Sequence, residues 1–180
     1  MGFDEKLFNQ ELAGLAWKFQ VSPKSCNNPE YYNEYIRYSA IGDQQKGVGV
    51  TRVLVDTESE RIAGYVTLRA TSLVSEGENH VKLVEPSLEI AELAVDAEFE
   101  RQGIGSALIG IAIDVADELR KNYLGIRHLV VCADGSAIDF YKKLGFGELS
   151  TLYEVLHDGW NDHCDPLYIT LPENITNFDP

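Results

Sequence analysis

The sequence predicts a single α/β domain, residues 1–180, on three observations. The length is that of one ordinary globular domain. Short runs rich in Val, Thr, Tyr and Leu alternate with polar turns, as strands do. One long amphipathic stripe follows Gly103, with a strand-like run on either side of it. Apolar residues make up 44% and charged residues 24% of the chain. That composition excludes disorder, collagen and coiled coil.

The elements follow in order. Pro23, Ser25, Asn27, Asn28 and Pro29 form a loop cluster. A helical stretch then runs from Glu30 to about Gln45, because Tyr31, Tyr35, Tyr38 and Ile41 recur at steps of four, three and three. Gly47 and Gly49 end it. Val48 to Val55 reads as a strand closed by Asp56, Thr57 and Glu58, and Ile62 to Val74 as its hairpin partner. Pro86 opens a strand from Leu88 to Val95. Ile104, Leu108, Ile111, Val115 and Leu119 form the amphipathic helix, with Arg120 and Lys121 at the end where cations suit the helix dipole. Ile126 to Cys132 reads as a buried strand. A short helix capped by Asp134 or Ser136 carries Ala137, Phe140, Tyr141 and Leu144, and Gly145 stops it. Two strands close the chain, near Leu149–Leu156 and Leu167–Leu171.

Lys and Arg number 15 against 29 Asp and Glu, a formal net charge of −14. Such a field repels phosphate backbones and anionic lipid, so nucleic-acid and membrane partners are disfavoured. Cys26, Cys132 and Cys164 are odd in number and widely spaced, and no zinc pattern or disulfide framework is read from them. The first residues are acidic where a signal peptide is basic, and no apolar run approaches 18 residues. The expectation is a soluble cytoplasmic protein.

The informative segment is Leu88–Asp96 followed by Glu100-Arg101-Gln102-Gly103-Ile104-Gly105-Ser106-Ala107. A strand ends, a loop follows, and glycines open a helix. Unpaired N–H groups and the positive helix end make such a turn an anion site. A dinucleotide fingerprint is a poor match: Leu108 takes the place of its last small residue, and Asp96 to Gln102 separate the strand from the glycines. No GKS or GKT follows, so a Walker loop is absent.

Taken whole, Leu93-Ala94-Val95-Asp96 with the glycine turn, then Leu129–Ala133 leading to Ala137-Ile138-Asp139-Phe140-Tyr141-Lys142-Lys143-Leu144-Gly145-Phe146, resembles the GNAT superfamily of acyl-CoA-dependent N-acyltransferases. The resemblance covers roughly Ile62 to Leu171. Glu100 departs from it, standing where the family has Arg or Gln. The resemblance implies a mixed sheet of about six or seven strands, splayed at the centre and flanked by helices. It implies acetyl-CoA as co-substrate. The pyrophosphate would rest on backbone N–H groups of Arg101, Gln102, Gly103, Ile104, Gly105 and Ser106, with Ala107 close by. Leu93 and Val95 would pair with the pantetheine arm, and Ala137, Phe140 and Tyr141 would line its path. The Val95 N–H would stabilise the oxyanion, and Tyr141 would protonate the leaving thiolate. From the residues alone, Tyr141, on an apolar stripe with Ala137, Phe140 and Leu144, reads as a core tyrosine.

The amine must lose a proton, and Glu89, Glu92 or water is left open as its acceptor. In a regular strand an odd spacing puts Glu89 and Glu92 on opposite faces. Glu89 shares a face with Ala91, Leu93 and Val95, and it ranks first because the resemblance implies a catalytic Glu in some members six residues before that Val. Stretches around Ser25–Asn28, Tyr32–Ile36, Asp43–Gly47, Thr51-Arg52 and Gly64–Leu68 loosely resemble the GNAT toxins of bacterial toxin–antitoxin pairs, which acetylate aminoacyl-tRNA. Beyond Lys143 the chain has seven acids and no Lys or Arg, an acidic rim that suits a cationic amine such as a small polyamine or a lysine side chain. A cationic acceptor is therefore the first expectation, with aminoacyl-tRNA and a non-catalytic acyl-CoA-binding module as alternatives. His157, His163, Cys164 and the acids between them match no metal pattern. Oligomeric state is left open, a homodimer included.

Overall fold

The Val- and Thr-rich runs of the first half become an antiparallel ladder in the computed structural model, which describes residues 2–76, 78–149, 153–155 and 164–172. The ladder comprises β1 (Phe3–Leu7), β2 (Val50–Asp56), β3 (Arg61–Glu76) and β4 (Lys82–Val95). Beyond β4 lie β5 (His128–Asp134), β8 (Cys164–Thr170) and β6 (Gly147–Glu148), and β7 (Tyr153–Val155) pairs with β3. The sheet is mixed: β4 and β5 run parallel, and every other pairing among the described residues is antiparallel.

The mixed, helix-flanked sheet is the one expected, with eight strands among the described residues. β1 escapes an apolar pattern because Asp4, Glu5 and Lys6 make it a charged edge strand. Within the run expected as a strand near Leu149–Leu156, Tyr153–Val155 forms β7 against β3, and the short β6 precedes it, pairing with β8. β4 begins at Lys82, before Pro86. The proline is accommodated because β5 joins β4 only from Ser87, so Pro86 lies on an open edge.

The helical run of the first half is α1 (Pro29–Glu34), a π-turn over Tyr35–Ser39 and α2 (Ala40–Gln45). Asn28 caps α1, its side chain accepting from the Tyr31 N–H. These helices cover one face of the sheet over a core containing Phe8, Phe19, Ile36, Val53 and Tyr65. On the other face, α3 (Ile104–Asn122) lays Ile104, Leu108, Ile109, Ala112 and Ala116 against Val66, Leu68, Leu88 and Ile90. α4 (Ile138–Lys143) follows β5 through a single turn that the Asp134 side chain caps.

Two irregularities position everything that follows. β4 and β5 pair only over Ser87–Ile90 and His128–Val131, although both strands run on for several residues. And β4 carries a bulge: Glu92 faces Thr67 and Ile90 faces Leu68, which leaves Ala91 as an extra residue. The bulge reverses the alternation. Leu88 and Ile90 pack under α3 before it, Leu93 and Val95 after it. Glu89 and Glu92, three apart, therefore share the opposite face, and the expectation that Glu89 sides with Ala91, Leu93 and Val95 is corrected.

The cysteine expectation is also corrected. Cys132 and Cys164 form a disulfide with Cα atoms 5.4 Å apart. The β5–β8 register, Cys132 opposite Pro166 and Asp134 opposite Cys164, makes them diagonal neighbours across 32 residues of chain. Cys26 is free. No described helix is long and apolar enough to cross a membrane.

Candidate active site

Between the diverging ends of β4 and β5 opens a cleft of about 690 Å³. The antiparallel ladder decides which backbone groups face it. The Asp96 N–H donates to the Ala63 carbonyl at 2.9 Å, so Ala94 points its hydrogen-bonding groups at β3 and the flanking residues point away. Leu93 and Val95 thus turn their N–H and C=O groups toward the gap, where β5 has already departed.

The floor of the cleft is the turn into α3. Asp96, 1% exposed, holds that turn by accepting from the Glu98 N–H and the Gln20 N–H, both at 3.0 Å, and from Arg61. Arg101 (φ 60°) and Gly103 (φ 84°) both adopt the left-handed region. For Gly103 this is free of strain, whereas Arg101 keeps it at a cost of about 1 kcal/mol. Alternating handedness turns consecutive N–H groups inward, a concavity suited to an anion. The first helical bond is Ala107 N–H to the Gly103 carbonyl, 3.0 Å. The N–H groups of Ile104, Gly105 and Ser106 therefore lack an intrahelical partner. Gly105 lets α3 pack closely here: a Cβ would lie 3.1 Å from Phe140 Cζ, and the ring would have to give by a few tenths of an ångström.

Leu93, Val95, Arg101, Gly103, Ile104, Gly105, Ser106, Ala137, Phe140 and Tyr141 all line the cleft. Gln102 and Ala107 do not. The Gln102 amide nitrogen donates to the Glu98 carbonyl at 2.9 Å, and the Ala107 N–H is spent inside the helix. Lys143, which the sequence reading left aside, joins Arg101 in the lining, and neither makes an ion pair among the described residues. The facing acids are partly engaged. Glu100 accepts from Ser25 Oγ at 2.5 Å, and Asp134 accepts from Asn27 Nδ2 at 2.9 Å. The Ser25–Asn27 loop thus touches both arms of the splay.

Tyr141 is 5% exposed, edge-on to Phe140 and Phe146 at 5.1 and 5.4 Å. Its hydroxyl takes no hydrogen bond among the described residues. Burial, with Tyr32 and Glu92 nearby, pushes the phenol well above its ordinary pKa, so it stays protonated at neutral pH.

The two glutamates differ sharply. Glu89, 2% exposed, is clamped by Arg69: Nε and Nη2 each donate to a carboxylate oxygen at 2.8 Å. Neither it nor Glu92 is among the residues lining the cleft, but the Glu89 lone pairs face a cation, an arrangement unsuited to accepting protons. Glu92 is half-buried, accepts from Tyr31 Oη at 2.5 Å, and is pushed up to about 7, chiefly by burial. Of the acceptors left open above, the geometry favours Glu92. Only the bulge reveals this; the spacing of the two residues pointed the other way.

His128 contacts Glu85 and Thr170 at 3.2 and 3.1 Å, away from the cleft. No group of three metal-ligating side chains occurs among the described residues. His157, Asp158, Asp162 and His163 lie outside them, as does most of the acidic stretch beyond Lys143.

The model of the acetyltransferase (GNAT) family matches residues 12–146. An uncharacterized N-acetyltransferase of Methanocaldococcus jannaschii is 42% identical over 60 residues, 33% of this chain, and the match spans only 26% of that relative's length. Among solved structures, AtaT complexed with acetyl-methionyl-tRNAfMet superposes with a TM-score of 0.74 at 18% identity, covering 94% of this chain and 95% of that one. A tyrosine-to-phenylalanine mutant of KacT gives 0.73 at 18% identity, covering 95% and 96%. A structure described as a bacterial toxin gives 0.72 at 20%, covering 94% and 91%. At these identities the likeness is one of fold.

Proposed function

The chain belongs to the acetyltransferase (GNAT) family, and from that premise we propose that it moves an acetyl group from acetyl-CoA to a primary amine by direct attack. Residues 1–180 act as one domain in this reading, and the protein works in the cytoplasm, where both substrates occur. The observation that carries the reading is the pairing of an inward-facing amide turn with a strand whose backbone groups lack a partner. The pyrophosphate suits the N–H groups of Gly103, Ile104, Gly105 and Ser106, flanked by the Arg101 and Lys143 cations. The amide-bearing pantetheine arm suits Leu93 and Val95 as an added strand.

The amine lone pair attacks the thioester carbonyl carbon. The Val95 N–H stabilises the oxyanion as the C–N bond forms. The C–S bond then breaks and Tyr141 gives its proton to the departing sulfur; the resulting phenolate takes up the proton still on the attacking nitrogen, and the proton the substrate ammonium lost before attack rests on Glu92. The Glu92 carboxylate also favours a cationic acceptor.

A second reading has the amino group of an aminoacyl-tRNA as acceptor, and the fold shared with AtaT across most of both chains favours it. Against it stand the net charge of −14 and the pairing of Arg52, Arg61, Arg69, Arg120 and Arg127 with carboxylates, which leaves little basic surface for RNA. Thiol release from acetyl-CoA, measured with spermidine, a lysine peptide and a charged tRNA, decides between them. Turnover with either cation supports the first reading, and turnover with charged tRNA alone supports the second. Calorimetric binding of acetyl-CoA without turnover on any of the three would leave a binding module.

A further inference from the structure

Five tyrosines lie close enough to Glu92 for its charge to act on them: Tyr31 and Tyr32 from α1, Tyr35 from the π-turn, Tyr65 from β3 and Tyr141 from α4. The charged groups around it are Asp43 from α2, Arg69 from β3 and Glu89 on its own strand. Burial, Glu89 and Asp43 all oppose ionisation of Glu92, and Arg69 commits two of its donors to Glu89. Among the described residues one group donates directly to Glu92, the Tyr31 hydroxyl at 2.5 Å.

The placement of that hydroxyl is built into the chain. Asn28 caps α1 on the Tyr31 N–H. The Tyr31 ring stands edge-on to Tyr32 at 5.2 Å, and Tyr32 lines the cleft. The residue is 47% exposed, so packing does not explain a tyrosine here. Phenylalanine would make the same ring contact.

We propose that Tyr31 is the positioning residue of the amine-deprotonating carboxylate: its hydroxyl fixes Glu92 in one orientation and stabilises its ionised form. This rests on Glu92 being the proton acceptor. A hydrogen bond to a charged acceptor is strong enough to move a titration by one to two pH units, roughly. Tyr31→Phe removes the hydroxyl and keeps the ring.

The test is carboxyl 13C NMR of glutamate-labelled protein, with Glu92→Gln assigning the resonance, alongside the pH dependence of kcat/KM for thiol release from acetyl-CoA with spermidine. The native Glu92 titrates near 7. In Tyr31→Phe its midpoint rises by about one to two units, kcat/KM at pH 6.5 falls roughly tenfold or more, and the rate recovers toward pH 9. An unmoved midpoint in folded Tyr31→Phe overturns the inference. A rate and profile untouched by Glu92→Gln would instead overturn the underlying role of Glu92, whatever Tyr31→Phe does to the resonance.

Discussion

Replacing Tyr141 with phenylalanine separates chemistry from architecture, because the structure assigns the hydroxyl almost no structural work. It takes no hydrogen bond among the described residues, so its loss leaves no buried partner unsatisfied. The ring contacts with Phe140 and Phe146 survive unchanged. Stability should therefore move by less than about 1 kcal/mol, which is about 2–4 °C in Tm for a chain of this size. The amide turn that would hold acetyl-CoA lies on another element and is untouched, so Kd for acetyl-CoA stays within about twofold. If Tyr141 protonates the leaving thiolate, kcat falls roughly 10²- to 10⁴-fold, the share positioned acids supply. That is about 3–5 kcal/mol of barrier, several times the structural cost. Thiol release under saturating acetyl-CoA, calorimetric binding and a thermal melt measure the three quantities. A variant with kcat within fivefold of native, and native Kd and Tm, would refute the acid role. A tenfold loss of binding would show that the hydroxyl serves packing of the cleft instead.

Other outcomes follow from the same geometry. Arg101→Gly relieves a left-handed backbone and removes a cleft cation, so Tm should hold or rise slightly while Kd for acetyl-CoA weakens and loses part of its salt dependence. Unchanged affinity would remove Arg101 from the phosphate site. Glu92 has a folded pKa near 7, above its ordinary value, so the stability its neutral form provides is present below about pH 4.5 and lost as pH rises through 7. Glu92→Gln escapes that loss; its Tm minus that of native should grow between pH 5 and pH 8, and a constant difference would contradict the shift. Reducing Cys132–Cys164 with dithiothreitol opens a 32-residue connection, worth about 3–4 kcal/mol by chain entropy and roughly 10 °C in Tm. A melt indifferent to reductant would show that the bridge does not form.

Much of the fold was legible because it rests on local patterns. The stripe from Ile104 to Leu119 specifies a helix by its period, and Gly103 specifies the turn before it by its freedom of φ. The hairpin of β2 and β3, the cap at Asp134 and the stop at Gly145 were likewise written in neighbouring residues. β1 was not legible, since its charges suit a sheet edge and carry no apolar rhythm. What tertiary structure decided was everything that depends on pairing between distant segments. The bulge at Ala91 exists only as a mismatch between β3 and β4, yet it moves Glu92 to the face of Glu89, within reach of Tyr31, and so makes it the proton acceptor proposed above. The disulfide depends on the register of β5 against β8, which spacing along the chain cannot encode. Side-chain period is a property of one strand, whereas the face a residue finally occupies is settled by its partner.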